Sequence, residues 1–138
     1  MASRPNFSPY IVIPNASAQP ANTGSMASSI ISAPTVISNL SLVSYGFSWT
    51  GTTPVGTVSV QVSNDFSLNP DGSVLNPGTW NSVTLLYQGA LVTSIPITGN
   101  TGNGLIDVTP TAAFASRAVY TATSGTGTLQ VIINGKVS

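Results

Sequence analysis

YGFSWTGTTPVGTVSVQVSND, Tyr45 to Asp65, carries the clearest periodicity in the chain. Tyr45, Phe47 and Trp49 fall at every second position, with Gly46, Ser48 and Thr50 between them. After the break Gly51-Thr52-Thr53-Pro54-Val55-Gly56 the alternation resumes, with Val58, Val60 and Val62 against Ser59, Gln61 and Ser63. A period of two puts successive side chains on opposite faces of a strand, so each half has an apolar and a polar face. Two such strands around a Gly/Pro break predict an antiparallel hairpin, aromatic on one arm and valine-rich on the other. This hairpin is expected at the middle of the fold.

Strand signals continue on both sides of it. Thr35 to Val43 alternates imperfectly and leads into the hairpin. Asn64 to Thr79 reads as a loop, with Pro70, Asp71-Gly72 and Pro77-Gly78 as turn signals. Trp80 to Tyr87 and Leu91 to Thr98 follow as strands, Pro96 marking the second as an edge or irregular one. Gly99 to Gly104 reads as a flexible loop before a short strand from Leu105 to Thr109. Thr111 to Ser116 fits one helical turn, and Arg117 to Thr123 with Gly127 to Val137 reads as a last hairpin about Ser124-Gly125-Thr126. About eight short strands and no convincing amphipathic helix predict an all-β protein, a single antiparallel β-sandwich from residue 34 to 138. Jelly-roll and immunoglobulin-like connectivities are both compatible with this pattern.

Residues 1–33 differ in composition. Pro5, Pro9, Pro14 and Pro20 interrupt any regular element, and the apolar pad Tyr10-Ile11-Val12-Ile13 ends at Pro14. Composition alone fits a disordered tail. The expectation is instead an extended N-terminal arm, residues 1–33, that lies on a neighbouring subunit, with Phe7, Tyr10, Ile11, Val12 and Ile13 as its contact residues. A proline-broken arm by itself has little to offset its chain entropy.

Charge limits the partners. The 138 residues are 41% hydrophobic but only 4% charged, against roughly 25% in ordinary soluble proteins. Arg4, Arg117 and Lys136 balance Asp65, Asp71 and Asp107. Three scattered basic residues cannot neutralise a row of phosphates, so no nucleic-acid partner is expected. The start, MASRPNFSPY, has no apolar signal-peptide core, and no apolar run reaches a membrane-spanning length, so no membrane partner is expected. A near-neutral surface rich in Ser, Thr and Asn keeps free copies apart poorly, which suits a protein within a larger assembly.

The same composition disfavours catalysis. With no His, Cys or Glu, the usual general base, zinc ligands and nucleophile pairs are missing, leaving three Asp with no sign of convergence. Asn64, Asp65, Asn69 and Asp71 share one loop and offer oxygen ligands, but their spacing matches no calcium loop and turn formation explains them better. No cofactor is expected. Asn6, Asn15 and Asn39 begin glycosylation sequons that mean little without a secretion signal. Phe47 and Trp49 alternate with small polar residues and read as core rather than as a sugar-stacking platform. Trp49, Asp65, Trp80, Arg117 and Tyr120 are assigned structural roles. Arg117 is expected to pair with a carboxylate, Asp65 first and Asp107 second.

Gly56 to Asp65 (GTVSVQVSND), the approach to Trp80, and Ser116 to Lys136 (SRAVYTATSGTGTLQVIINGK) together resemble a β-sandwich module of tailed-bacteriophage virion proteins. The resemblance covers about residues 35–138 and leaves the arm outside. Ala118-Val119 departs from it, where a bulkier residue belongs. The resemblance implies a non-enzymatic structural role and localisation in the virion. A capsid decoration (cement) protein comes first, bound to the major capsid protein or other virion proteins. It also implies a homo-oligomer, a trimer being preferred. The competing reading is a host-facing adhesin or tail-fibre module that binds glycans.

Overall fold

A computed structural model describes residues 7–15, 22–109 and 112–136, with the side chains of residues 7 and 8 left aside. Among the described residues every regular element is a strand. Two of these, β4 (Leu42–Ser63) and β12 (Ala115–Lys136), are 22 residues long and pair antiparallel from Leu42 opposite Lys136 to Ser63 opposite Ala115.

This corrects both expected hairpins. Tyr45–Asp65 does not turn back on itself, and neither does Arg117–Lys136, Val137 lying outside the described residues. The Gly/Pro break of β4 lies opposite the Ser124-Gly125-Thr126 break of β12, where the register shifts twice, between Ala122 and Ser124 and between Ser124 and Thr126. Such bulges bend a ribbon and increase its twist without ending the pairing. The two breaks therefore make one shared bend. Its glycines serve close approach: a Cβ on Gly51 would run into the Thr126 carbonyl, and one on Gly56 would lie 2.6 Å from the Tyr120 hydroxyl.

The bend folds the ribbon over its own core. Tyr45, Phe47 and Trp49 from one half of β4 and Val58 and Val60 from the other belong to one buried cluster, joined by Ala118, Tyr120, Leu129, Val131 and Ile133 of β12. One layer is ordered β1 (Phe7–Ile13), the C-terminal half of β12, the N-terminal half of β4, β11 (Thr101–Val108), β8 (Leu85–Tyr87) and β9 (Ala90–Val92). In the other, β2 (Ile30–Ile31) and β3 (Thr35–Val36) flank the first half of β12. There β7 (Asn81–Ser82) and β10 (Ile95–Ile97) flank the second half of β4. The result is a sandwich-like, all-β architecture in which both long strands serve both layers. Pro96 sits in β10, which among the described residues pairs with β4 alone.

Residues 7–15 and 22–36 lie along the free edge of β12 instead of standing away from the sandwich. The pairing runs steadily down that strand: Phe7 with Gly135, Ser25 with Thr128, Ile30 with Tyr120, Thr35 with Ser116. Val12, Ile13, Met26 and Ile30 are buried in the common core. The physical reason is that β12 would otherwise present an unpaired edge and an open core flank along its whole length. The short loop 37–41 then crosses between the layers, from the Phe114 carbonyl to the Lys136 carbonyl, before β4 begins.

Two smaller expectations change as well. The Gly99–Gly104 loop becomes the start of β11, because Gly102 and Gly104 oppose Trp49 and Phe47 and leave room for their rings. The expected helical turn at Thr111–Ser116, of which Thr111 lies outside the described residues, gives way to the start of β12 at Ala115.

Candidate interaction surfaces

The five residues expected on a partner-binding arm divide by position in β1. Val12 and Ile13 face the core, 4% and 0% exposed, and are closed to any partner in this fold. Tyr10 and Ile11 remain about two-fifths exposed. The Tyr10 hydroxyl lies 2.6 Å from the Thr35 hydroxyl, joining β1 of one layer to β3 of the other and closing the side of the sandwich. Phe7 pairs through its backbone with Gly135, and its side chain lies outside the described residues.

Ile11 leads onto the outer face of the six-stranded layer. Across the strands it is followed by Ile132, Gly46 and Leu105, a row in which Gly46 forms the low point and Leu105 is 62% exposed. One row further on, Asn134, Ser44 and Asp107 lie side by side, continuing to Leu86 and Leu91. These residues line a cleft of about 510 Å³ whose walls include Leu42 on one side and Leu86 and Leu91 on the other, with Lys136 beside Leu42. Its walls are apolar and its floor is polar. Sequence reading overlooked this face. Adjacent pairs such as Leu85-Leu86 and Leu105-Ile106 carry the signal, because in a strand only one of two neighbours can point inward.

A second exposed apolar group sits on the small hairpin formed by β5 (Ser67–Leu68) and β6 (Val74–Asn76), which among the described residues pair only with each other. Leu68, Val74 and Leu75 are exposed there, Leu75 to 65%. Sequence reading took this stretch for a loop. The hairpin's base is fixed by the site around Asp65. The Ser63 hydroxyl and the Thr79 amide donate to Asp65 Oδ1 at 2.8 and 2.6 Å, and the Thr79 hydroxyl donates to Oδ2 at 3.0 Å. These bonds, the Thr79 amide foremost, hold the Asp65 carboxyl below the ordinary carboxylate range. At the tip, Asp71 accepts from the Ser73 hydroxyl and amide, which lowers its own value.

Asp65 is therefore already satisfied, and the expected pairing with Arg117 is replaced by another. Arg117 Nε donates to Gln61 Oε1 at 2.9 Å, its cross-strand neighbour, and the guanidinium lies 4.3 Å from the centre of a Trp80 ring. Partial burial pulls the Arg117 value down from its ordinary range. Trp80 packs at a tilt against Phe66, and its indole donates to the Pro77 carbonyl at 2.8 Å. Trp49 stacks on Phe47 and donates to the Gly99 carbonyl, while Tyr120 is buried beside the bend. No group of three metal-binding side chains occurs among the described residues.

No protein-family model matches this chain, and no curated protein matches its sequence. Among solved structures it is similar to the SPBc2 prophage-derived protein YomS. The crystal structure of that protein superposes with a TM-score of 0.56 at 9% identity, over 97% of this chain and 96% of the other. At that identity the likeness is one of fold, and it takes in residues on both sides of the bent ribbon.

Proposed function

We propose that this chain is a non-enzymatic structural protein of a bacteriophage virion, a capsid decoration protein that works as a homo-oligomer. The observation that carries the reading is the exposed leucine-walled face of the six-stranded layer in a protein with almost no charge to recognise or repel a partner. Exposed leucines gathered on one face fit contact with another protein. The whole-chain fold likeness to a prophage-derived protein supports the phage setting. The mechanism is passive: apolar and main-chain surface buried between subunits raises the free energy needed to separate them. The rings weighed as a sugar platform are otherwise engaged, since Phe47 and Trp49 stack together in the core.

The test is quantitative proteomics of gradient-purified particles from a lysate in which the chain is produced. The reading expects the chain in fixed ratio to the major capsid protein, and particles lacking it should rupture at lower temperature. A chain abundant in the lysate but missing from purified particles overturns it.

A further inference from the structure

The geometry points to a head-to-tail contact between copies, in which the β5–β6 hairpin of one copy enters the leucine-walled cleft of the next. Three features match the two surfaces. First, one is a separate two-stranded element with exposed side chains and the other a recess: among the described residues β5 and β6 pair with each other alone, and the cleft offers about 510 Å³. Second, both are apolar with polar edges. Leu68, Val74 and Leu75 on the hairpin would meet Leu42, Leu86 and Leu91, while the hairpin's asparagines and serines would meet the floor of Ser44, Asn134 and Asp107. Third, a charge pair is available. The segment 64–79 carries Asp71 at its tip and no basic residue, and the cleft lining holds Lys136 beside Leu42 as well as Asp107 on the floor. Both Ser73 bonds enter Asp71 through Oδ1, which leaves Oδ2 for an incoming ammonium.

A second copy fits better than an unrelated protein because each chain carries both halves of the match. The two halves are different patches, so the contact is heterologous and repeats into a closed ring or an open chain according to the rotation between copies. This inference rests on the oligomeric part of the proposed function and not on its virion part. A chain that self-associates but is missing from particles would sink only the latter.

Sedimentation velocity of the purified intact chain over a dilution series tests the contact. The wild type should associate, and Leu75→Asp or Leu91→Asp should each weaken association by about tenfold or more. Mixed in equal amounts, the two variants should form dimers and nothing larger, because only one good hairpin and one good cleft remain per pair. Asp71→Lys should also weaken association, and combining it with Lys136→Asp in one chain should restore it, which guards against a variant that has merely misfolded. A wild type that is monomeric at the highest concentration, single variants that associate like wild type, or a mixture that stays monomeric would each overturn the proposal.

Discussion

The Tyr45 and Ser116 hydroxyls lie 2.6 Å apart, fully buried, although 71 positions separate them in the chain. Tyr45 is paired in one layer, with Ile133 and Ile106, and Ser116 in the other, with Val62 and Thr35. Their contact is therefore a direct measure of the ribbon having folded over. Both hydroxyls are shut off from bulk solvent. Tyr45→Phe should destabilise the chain by about 1–3 kcal/mol, the cost of leaving the buried Ser116 hydroxyl unsatisfied. The double variant Tyr45→Phe with Ser116→Ala should recover part of that loss. Denaturant unfolding of the three variants reads both effects.

The bend makes a sharper distinction among glycines. At Gly51 a side chain would strike the Thr126 carbonyl and Gly127 Cα, both backbone, so Gly51→Ala should cost several times what an ordinary surface change does, on the order of 3 kcal/mol. Gly72, at the hairpin tip, has a φ of 90° but open space around it. Gly72→Ala should cost only about 1 kcal/mol, from backbone strain alone. Equal effects at the two sites, in thermal unfolding, would contradict the shared-bend geometry.

The acid and alkaline limbs of the stability profile have different owners. Asp65 holds its proton less tightly when folded, so its contribution is present above the ordinary carboxylate value of 3.8 and is lost as the pH falls through the lower folded value. Tyr45 runs the other way. Burial pushes its hydroxyl well above 10.0, so its contribution is present below that value and disappears as the pH rises through the folded one. The chain has no His or Cys, the side chains that ordinarily titrate near neutrality. The melting temperature should accordingly be flat between about pH 5 and pH 9. Asp65→Asn should soften the acid limb only, and Tyr45→Phe the alkaline limb only.

Arg117 anchors the outer face of the second layer through Gln61 and Trp80. Arg117→Ala should lower stability by about 1 kcal/mol, from the cation–π contact and the side-chain hydrogen bond together. Arg117→Lys should recover little, because a point charge cannot lie flat on the indole while holding Gln61. Trp80 fluorescence and the melting temperature should change together. Asp65→Asn and Arg117→Ala should be less than independent in the double variant, since Asp65 makes no bond to Arg117 but holds Thr79, the neighbour of Trp80.

How much of this was legible from the chain depends on the kind of signal. The alternation of Tyr45, Phe47 and Trp49 with small polar residues identified strands and their inward faces without help from the rest of the molecule. Gly51-Thr52-Thr53-Pro54 could not disclose whether it turns or bends, because glycine and proline favour both. What decides is the matching break at Ser124-Gly125-Thr126 on the partner strand, which is information about pairing. Asp65 looked available for Arg117 because both are charged, yet the nearer Ser63 and Thr79 reach it through a local loop. The leucine-walled cleft brings together Leu42, Leu86 and Leu91 from three strands, a register no local pattern contains.

The N-terminal segment gives the last prediction. A segment that merely clamped a neighbour could be removed without harm to the sandwich. Here Val12, Ile13, Met26 and Ile30 are buried in the same cluster as Leu129, Val131 and Ile133, and the backbones of β1, β2 and β3 pair the outer edge of β12. Replacing one such side chain by alanine typically costs about 2–5 kcal/mol, a large share of the stability of a domain this size. Deleting residues 2–31 should therefore yield an unfolded or aggregating chain, and Ile13→Ala alone should lower the melting temperature markedly. Ile11→Ser, on the outer side of the same strand, should leave the melting temperature nearly unchanged while weakening any contact made by that face. Circular dichroism of the truncated chain and the two point variants checks this. A truncated chain that melts cooperatively at the wild-type temperature would mean that β1 and β2 are appended to the sandwich rather than part of its core.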